Sequence, residues 1–479
     1  MSMSFKMLLA GWFFPFFLLG SFSSVVFAQS NELTAGIAVV DITPPIGYRM
    51  SGYFSERLST GIHDPLYAKA MVLQQGNIQA VLVFCDIVGV PLGVSQRARQ
   101  LAQEKTGIPA ANIVIAATHS HTGPLYAGAL RNYLHETTIA KEGKDTHESI
   151  DYPAFLIDKI VAAVTGAKAA AAPVSLTAGI AGQSNLSFNR RFHMKDGTVR
   201  FNPGVLNPDI DHAAGPIDPD LAVVLLRDAS DNQTKASLVN FALHLDTTGG
   251  TLYSADFPYY LEQALRRKLG DNFVSLFAIG TCGDINHIDV TTKDRRKAEE
   301  IGNILAQTVG DEIPRLSPIA HPDLAISHEI VNAPLQKYSP QEVEQARQDM
   351  TKLGTKQLTF LEIVNAYKIL DLQLRPGETI PLEVQVLRLS DDVVLVALPG
   401  EIFVDLGLAI KKASPFKTTI VMELCNDNPG YIPTKKAFAE GSYETVNSRI
   451  TAGGGEMLVA STVRQLQAIK KMPLPGEEN

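Results

Sequence analysis

The sequence predicts an α/β fold, a mixed β-sheet core covered by helices within one large catalytic domain. Three observations predict it. Strand-like and helix-like runs alternate along the whole chain. No Pro/Gly/Ser-rich linker marks a boundary between domains. Apolar residues make up 45% and charged residues 19% of 479 residues, with no low-complexity tract, a composition that excludes a disordered chain.

The elements follow in order. "GIAVVDI" (36–42) is an apolar strand closed by the turn "TPP". "YAKAMVLQQGNIQAVLVFCDI" reads as two strands hinged at Gly76-Asn77, a hairpin signal. Residues 94–107 carry apolar positions at helical spacing and end on Gly107. A five-residue strand, Ile113 to Ala117, runs into "THSHTGP", and a polar loop is expected over 126–150 before an Ala-rich helix at 152–172. Strands recur at 174–181, 221–227, 236–243 and 273–279, with helices at 256–269 and 293–313. A charged helical pair (339–370), strands at 381–389 and 392–397, a helix at 401–412, a strand at 418–424 and a closing helix at 456–471 complete the chain.

The first 28 residues stand apart. Lys6 is their only charge, and an apolar run from Met7 to Phe27 ends in Val26-Phe27-Ala28, the pattern of a cleaved secretory signal peptide; an uncleaved membrane anchor is the alternative. A secreted or periplasmic protein is expected, loose attachment at a membrane surface included. The net charge of −8 argues against nucleic acid as a partner. Cys85, Cys282 and Cys425 are an odd number, each at the end of an apolar run, and read as buried free thiols.

Several apolar runs terminate in a chemically competent residue: Asp86, His119, His244, Asp284 and Glu401. In open α/β sheets the rim at the carboxyl ends of strands is where ligands bind. In extended chain residues i and i+2 face one way, so His119 and His121 are expected on one side of the strand end. They can share a metal, one can bind while the other moves protons, or both can simply brace a turn. The chain contains no G-x-S-x-G, H-E-x-x-H, Walker or G-x-G-x-x-G motif, which removes the main support for a serine nucleophile or a dinucleotide.

"GIAVVDITPPIGYRMSGY", "GIHDPLYAKAMVL", "IVIAATHSHTGP", "FNRR", "VNFALHLD", "CGDIN", "LPGEIF" and "GYIPTKKAFAEGSYE" occur in an order that resembles the neutral/alkaline ceramidase family, over roughly residues 35 to 460. Members are zinc amidases that split the N-acyl bond of ceramide. The resemblance implies Zn2+ held by His119, His244, Glu401 and Tyr431. It places His121 beside the reacting water and Tyr443 and Arg190 toward the substrate, with Arg191 leaving the choice of arginine open. It also implies a lipid or other N-acyl substrate.

Elementary chemistry agrees: zinc takes imidazole nitrogen and carboxylate or phenolate oxygen, and a catalytic site keeps a position for water. His121 could then serve as base and acid, and Tyr443 and Arg190 as donors to the oxyanion. Asp246, Asp256 and Asp284 are candidates to orient a ligand imidazole, although Asp256 in "SADFPYY" reads better as a helix N-cap. Family members carry a further β-rich domain after the catalytic one. Here the chain stops soon after 456–471, so a catalytic domain without it is expected, with a changed substrate as one consequence. The rivals are a metal hydrolase of another N-acyl or ester compound, and a silent binding protein on the same scaffold.

Overall fold

The structure, a computed structural model, describes residues 32–472 together with residues 1, 2 and 4. Apart from those three residues, the expected signal peptide lies outside the described residues. Eight strands, β1 (Thr34–Asp41), β2 (Tyr67–Gln75), β3 (Ile78–Cys85), β4 (Ile113–Ala117), β5 (Ala172–Gly182), β6 (Asp220–Asp228), β7 (Thr234–Phe241) and β8 (Val274–Ile279), build a large sheet in the order β8-β7-β6-β5-β1-β2-β3-β4, with the two-residue strand Ser317–Pro318 added beside β5. Its neighbours are antiparallel except for β3 with β4 at one end and β7 with β8 at the other. A second sheet, β9 (Ala325–Pro334), β10 (Thr379–Arg388), β11 (Val393–Ala397) and β12 (Thr418–Met422), also ends in a parallel pair, β11 with β12.

The α/β expectation holds, with the difference that two sheets stack face to face. The side-chain period of two sorts each strand between two cores. Ala68, Ala70 and Val72 of β2 face the helices Leu92–Thr106 and Tyr152–Ala169, whereas Met71 and Leu73 join Leu395, Ile420 and Met422 between the sheets. Val394, Val396 and Val421 point the other way, into a third core closed by the helices Val404–Ala413 and Gly454–Lys470. The result is four layers, helix, sheet, sheet and helix. Each fully buried Leu, Ile or Val side chain contributes roughly 1.5–3 kcal/mol, so strands apolar on both faces are what such stacking requires.

Local chemistry sets the elements. The helix Tyr152–Ala169 starts where the Asp151 carboxylate accepts from the Ala154 N–H, with Pro153 in the first turn. Leu156, Ile160, Ala163, Val164 and Ala167 form its buried stripe. It crosses β1 so closely that a Cβ on Gly36 would stand 2.0 Å from the Ala167 carbonyl oxygen. The hairpin turn at Gly76 and the left-handed Gly107 cap fall where expected.

Two expectations fail. Residues 126–150 are not all loop, because Gly128–Glu142 is a helix whose Leu130 and Leu134 pack beside Ala366 and Ile369 of the helix Phe360–Gln373. Its apolar stripe is too sparse to show as a period. Strand β9 was not anticipated either; it lies at a sheet edge and alternates partly buried with exposed positions.

Candidate metal centre and active site

The three parallel pairs within the two large sheets point their carboxyl ends at one region. His119 follows β4, His244 follows β7, Cys282 and Asp284 follow β8, Glu401 follows β11 and Glu423 follows β12. The Glu423 N–H donates to the Ile279 carbonyl and Ala117 N–H to that of Leu424, so the ends are stitched across the two sheets.

His119 and His121 converge, but not through strand alternation. His119 adopts φ +78°, the left-handed region that a non-glycine residue occupies at a cost, and its N–H donates to the Ile87 carbonyl. The turn brings the His119 and His121 ring centres to 4.9 Å and those of His119 and His244 to 4.3 Å. His119 Nε2 lies 3.0 Å from His244 Nε2 and 3.3 Å from His121 Nε2. Glu401 Oε2 stands 3.5 Å from His119 Nε2 and 3.8 Å from His244 Nε2. Glu401 and Tyr431 are register partners in a short parallel ladder, and the Tyr431 hydroxyl lies 3.5 Å from that of Tyr443.

The imidazoles differ in what holds them. His119 Nδ1 bonds the Val88 carbonyl at 2.7 Å and His244 Nδ1 that of Cys282 at 3.4 Å, so each Nδ1 carries the proton and each Nε2 presents a lone pair. His121 Nδ1 is buried without a partner, which leaves its tautomer free to change. Two Nε2 acceptors therefore face each other with Glu401 Oε2, itself without a hydrogen bond of normal geometry, beside them. Three acceptors around one point with no donor among them is an arrangement that a cation resolves, and imidazole with carboxylate suits zinc.

Electrostatics run the same way. Burial, then His119, holds the His244 imidazole well below its ordinary value and brings His121 down to about 3. Burial opposes ionisation of Glu401, but His119, Arg190 and Tyr431 hold its carboxyl below the usual range. Burial, then Glu401, pushes the Tyr431 hydroxyl well up.

Arg190 and Arg191 part company. Arg190 lies over the Tyr431 and Tyr443 rings at 5.4 and 5.9 Å and donates to the Gly283 carbonyl at 2.7 Å. Arg191 turns to Glu440, the Gly441 carbonyl and the Phe403 ring. Both share the fully buried Glu444, through Arg190 Nε at 2.9 Å and Arg191 Nη1 at 3.1 Å.

The carboxylates expected to orient ligand imidazoles do not, since backbone carbonyls take that place. Asp284 accepts from Asn189 Nδ2 and the Val404 N–H, and Asp246 pairs with His287 at 3.3 Å. Asp256 caps the helix Phe257–Leu269, accepting from the N–H groups of Phe257, Thr247 and Thr248. The three cysteines are buried and free.

Glu423 was missed. Its Oε2 accepts from the Ile402 N–H at 2.6 Å and the Cys282 N–H at 3.2 Å, tying the segment that carries Glu401 to the one whose carbonyl orients His244. The signal was present, since Glu423 ends the apolar run "TTIVM" as Glu401 and His119 end theirs.

His119, His121, Glu401, Tyr431 and Tyr443 line a cleft of about 390 Å³. Residues 33–293 match the family described as neutral/alkaline non-lysosomal ceramidase, N-terminal. The neutral ceramidase of Pseudomonas aeruginosa is 28% identical over 269 residues, covering 52% of this chain and 36% of that protein, so the alignment spans little more than a third of the relative's length. The crystal structure of neutral ceramidase from the same organism superposes with a TM-score of 0.69 at 19% identity, over 92% of this chain and 75% of that one. A ceramidase complexed with C2 gives 0.67 at 19%, over 92% and 76%. The structural likeness shows the shared fold, and the match over more than half of the sequence establishes that the chain belongs to the neutral/alkaline non-lysosomal ceramidase family.

Proposed function

We propose that the protein is a zinc-dependent amide hydrolase that cleaves the N-acyl bond of ceramide or a related N-acyl lipid. Its single catalytic domain, 29–479, follows a signal peptide that sends it out of the cytoplasm. No helix among the described residues is long and apolar enough to cross a membrane, so any membrane contact of that domain through a helix is peripheral.

His119, His244, Glu401 and Tyr431 are the residues that would hold the metal. Zn2+ in such a site supplies Lewis acidity and brings the pKa of a water to about 7. His121, with its unpartnered Nδ1, takes the proton of the attacking water and delivers it to the departing nitrogen. As the carbonyl oxygen gains charge, the Tyr443 O–H and the Arg190 guanidinium donate to it. Glu444 and the Gly283 carbonyl hold that guanidinium in place, so little reorganisation accompanies the reaction. Burial and the neighbouring His119 keep the His121 imidazole neutral, with one ring nitrogen free to take a proton, as a base must be.

The observation that carries this reading is the convergence of two Nε2 lone pairs and one unbonded carboxylate oxygen within 3.8 Å. The presence of all four candidate ligand residues supports an enzyme over a silent binding protein. The test is metal content by elemental analysis together with fatty acid released from N-acyl sphingosine. His119→Ala is expected to lose both the metal and at least 1000-fold in rate, while Tyr443→Phe keeps the metal and loses about 100-fold. Full turnover with metal retained in His119→Ala overturns the proposal.

A further inference from the structure

A separate cavity of about 450 Å³ has a lysine, Lys368, in its wall. Lys368 is 2% exposed, yet among the described residues no carboxylate stands within ion-pair distance of it. Its Nζ donates to the Tyr338 hydroxyl and to Gln336 Oε1 at 3.3 Å, and lies 4.2 Å from the centre of the Tyr338 ring. Both acceptors line the same cavity, and both are neutral. Burial, then Arg449, brings the ammonium down to about 8, and Glu342 offsets this only in part. Glu342 is itself taken up by the Ser339 N–H at 2.7 Å and the Ser339 hydroxyl at 2.8 Å.

A buried cation without a counter-ion costs free energy, and an ammonium has three donors of which only two are used here. An anion in the cavity would supply both the missing charge and the missing acceptor. One positive charge matches a carboxylate, whereas the second charge of a phosphate would be left uncompensated. The Asn365 amide and the Thr451 hydroxyl also line the cavity, and among the described residues neither makes a side-chain hydrogen bond, so N–H and O–H donors stand ready for an oxyanion. Phe438 and Val446 add apolar surface on which a hydrocarbon chain could lie. The cavity backs onto the cleft, because Thr445 and Val446 line the one while Tyr443 and Asn447 line the other. Gln336 ties them together: its Nε2 donates to the Ser448 carbonyl at 2.9 Å, and the Ser448 hydroxyl donates to that of Tyr431 at 2.9 Å.

We propose that this cavity is a second ligand site, separate from the candidate metal centre, for an amphiphilic monocarboxylate. The carboxylate accepts from Lys368 Nζ, the Thr451 hydroxyl and the Asn365 amide, and its aliphatic or aromatic chain lies against Phe438 and Val446.

The test measures binding to the chelator-treated full chain at pH 7 by calorimetry, with octanoate, 3-phenylpropanoate, octanol and octyl phosphate as probes. Wild type is expected to bind octanoate or 3-phenylpropanoate about tenfold or more tighter than octanol, and more tightly than octyl phosphate. Lys368→Met keeps the length of the side chain and removes its charge, and the preference for a carboxylate over octanol should vanish. Thr451→Val removes one donor at a less buried position, should weaken the carboxylates about fivefold, and serves if the first variant fails to fold. No binding of either carboxylate, tightest binding of octyl phosphate, or a preference left intact by Lys368→Met, or by Thr451→Val where the first does not fold, overturns the proposal. The last of these outcomes would put the carboxylate elsewhere, as in the cleft. The stronger of the two carboxylates identifies the chain as aliphatic or aromatic. Hydrolysis plays no part in these measurements, so their outcome is independent of the amidase reading.

Discussion

Glu444→Ala removes the one carboxylate that Arg190 and Arg191 share. Glu444 is fully buried, and the two arginines are 3% and 1% exposed, so neither guanidinium can recover its lost partner from solvent. Removing one member of a buried ion pair costs about 3–5 kcal/mol, because the charge left behind stays desolvated. Arg191 retains Glu440 and the Gly441 carbonyl, and Arg190 retains the Gly283 carbonyl, which places the expected loss toward the lower end, about 3 kcal/mol. Glu444→Gln keeps one acceptor oxygen and should cost about half of that, in the range for a charged hydrogen bond of about 1.5–3 kcal/mol. Equilibrium urea denaturation followed by circular dichroism measures both. A drop below about 1 kcal/mol in Glu444→Ala would show that the arginines find other partners and refute the argument. Because Arg190 lies over Tyr431 and Tyr443, the same variant should lower kcat more than it raises KM.

Two further outcomes are expected. Burial raises the Asp86 carboxyl to about 6, above its unfolded value of 3.8, so the folded chain binds the extra proton between these values; this contribution to stability is full below about pH 4 and is lost as pH rises through 6, on the order of 3 kcal/mol. Thermal melts of Asp86→Asn from pH 3.5 to 7 should fall less steeply than those of the wild type, and identical slopes would contradict the assignment. A Cβ on Gly283 would lie 2.5 Å from the Glu401 carbonyl oxygen, so Gly283→Ala must displace the segment that carries Glu401. Competition with a chelator should show metal affinity about 10–100-fold weaker, and unchanged affinity would mean that the segment yields without moving Glu401.

His119, His244 and Glu401 were legible because each breaks an apolar run with a polar residue, and a strand end is a rigid mount. The partners that orient the imidazoles were not, since the Val88 and Cys282 carbonyls belong to the backbone and leave no trace in residue type. "IVIAA" reads the same beneath helices as between two sheets, so the sheet stacking was hidden although each strand was in view. The choice between Arg190 and Arg191 needed coordinates because Arg190 sits between two short strands and Arg191 opens the second, so their side chains take different partners.

Stacking two sheets to make one site has a consequence for how the chain acquires it. His119 and His244 follow strands of the large sheet, whereas Glu401 and Tyr431 come more than 150 residues later, after strands of the small one. On the proposed reading, cation capture is therefore a late event in folding, since the loop joining the two halves must close before it can be rewarded. Under that proposal metal uptake would act as a completion signal, and a nascent polypeptide still missing its last third would emerge with histidines but no competent trap.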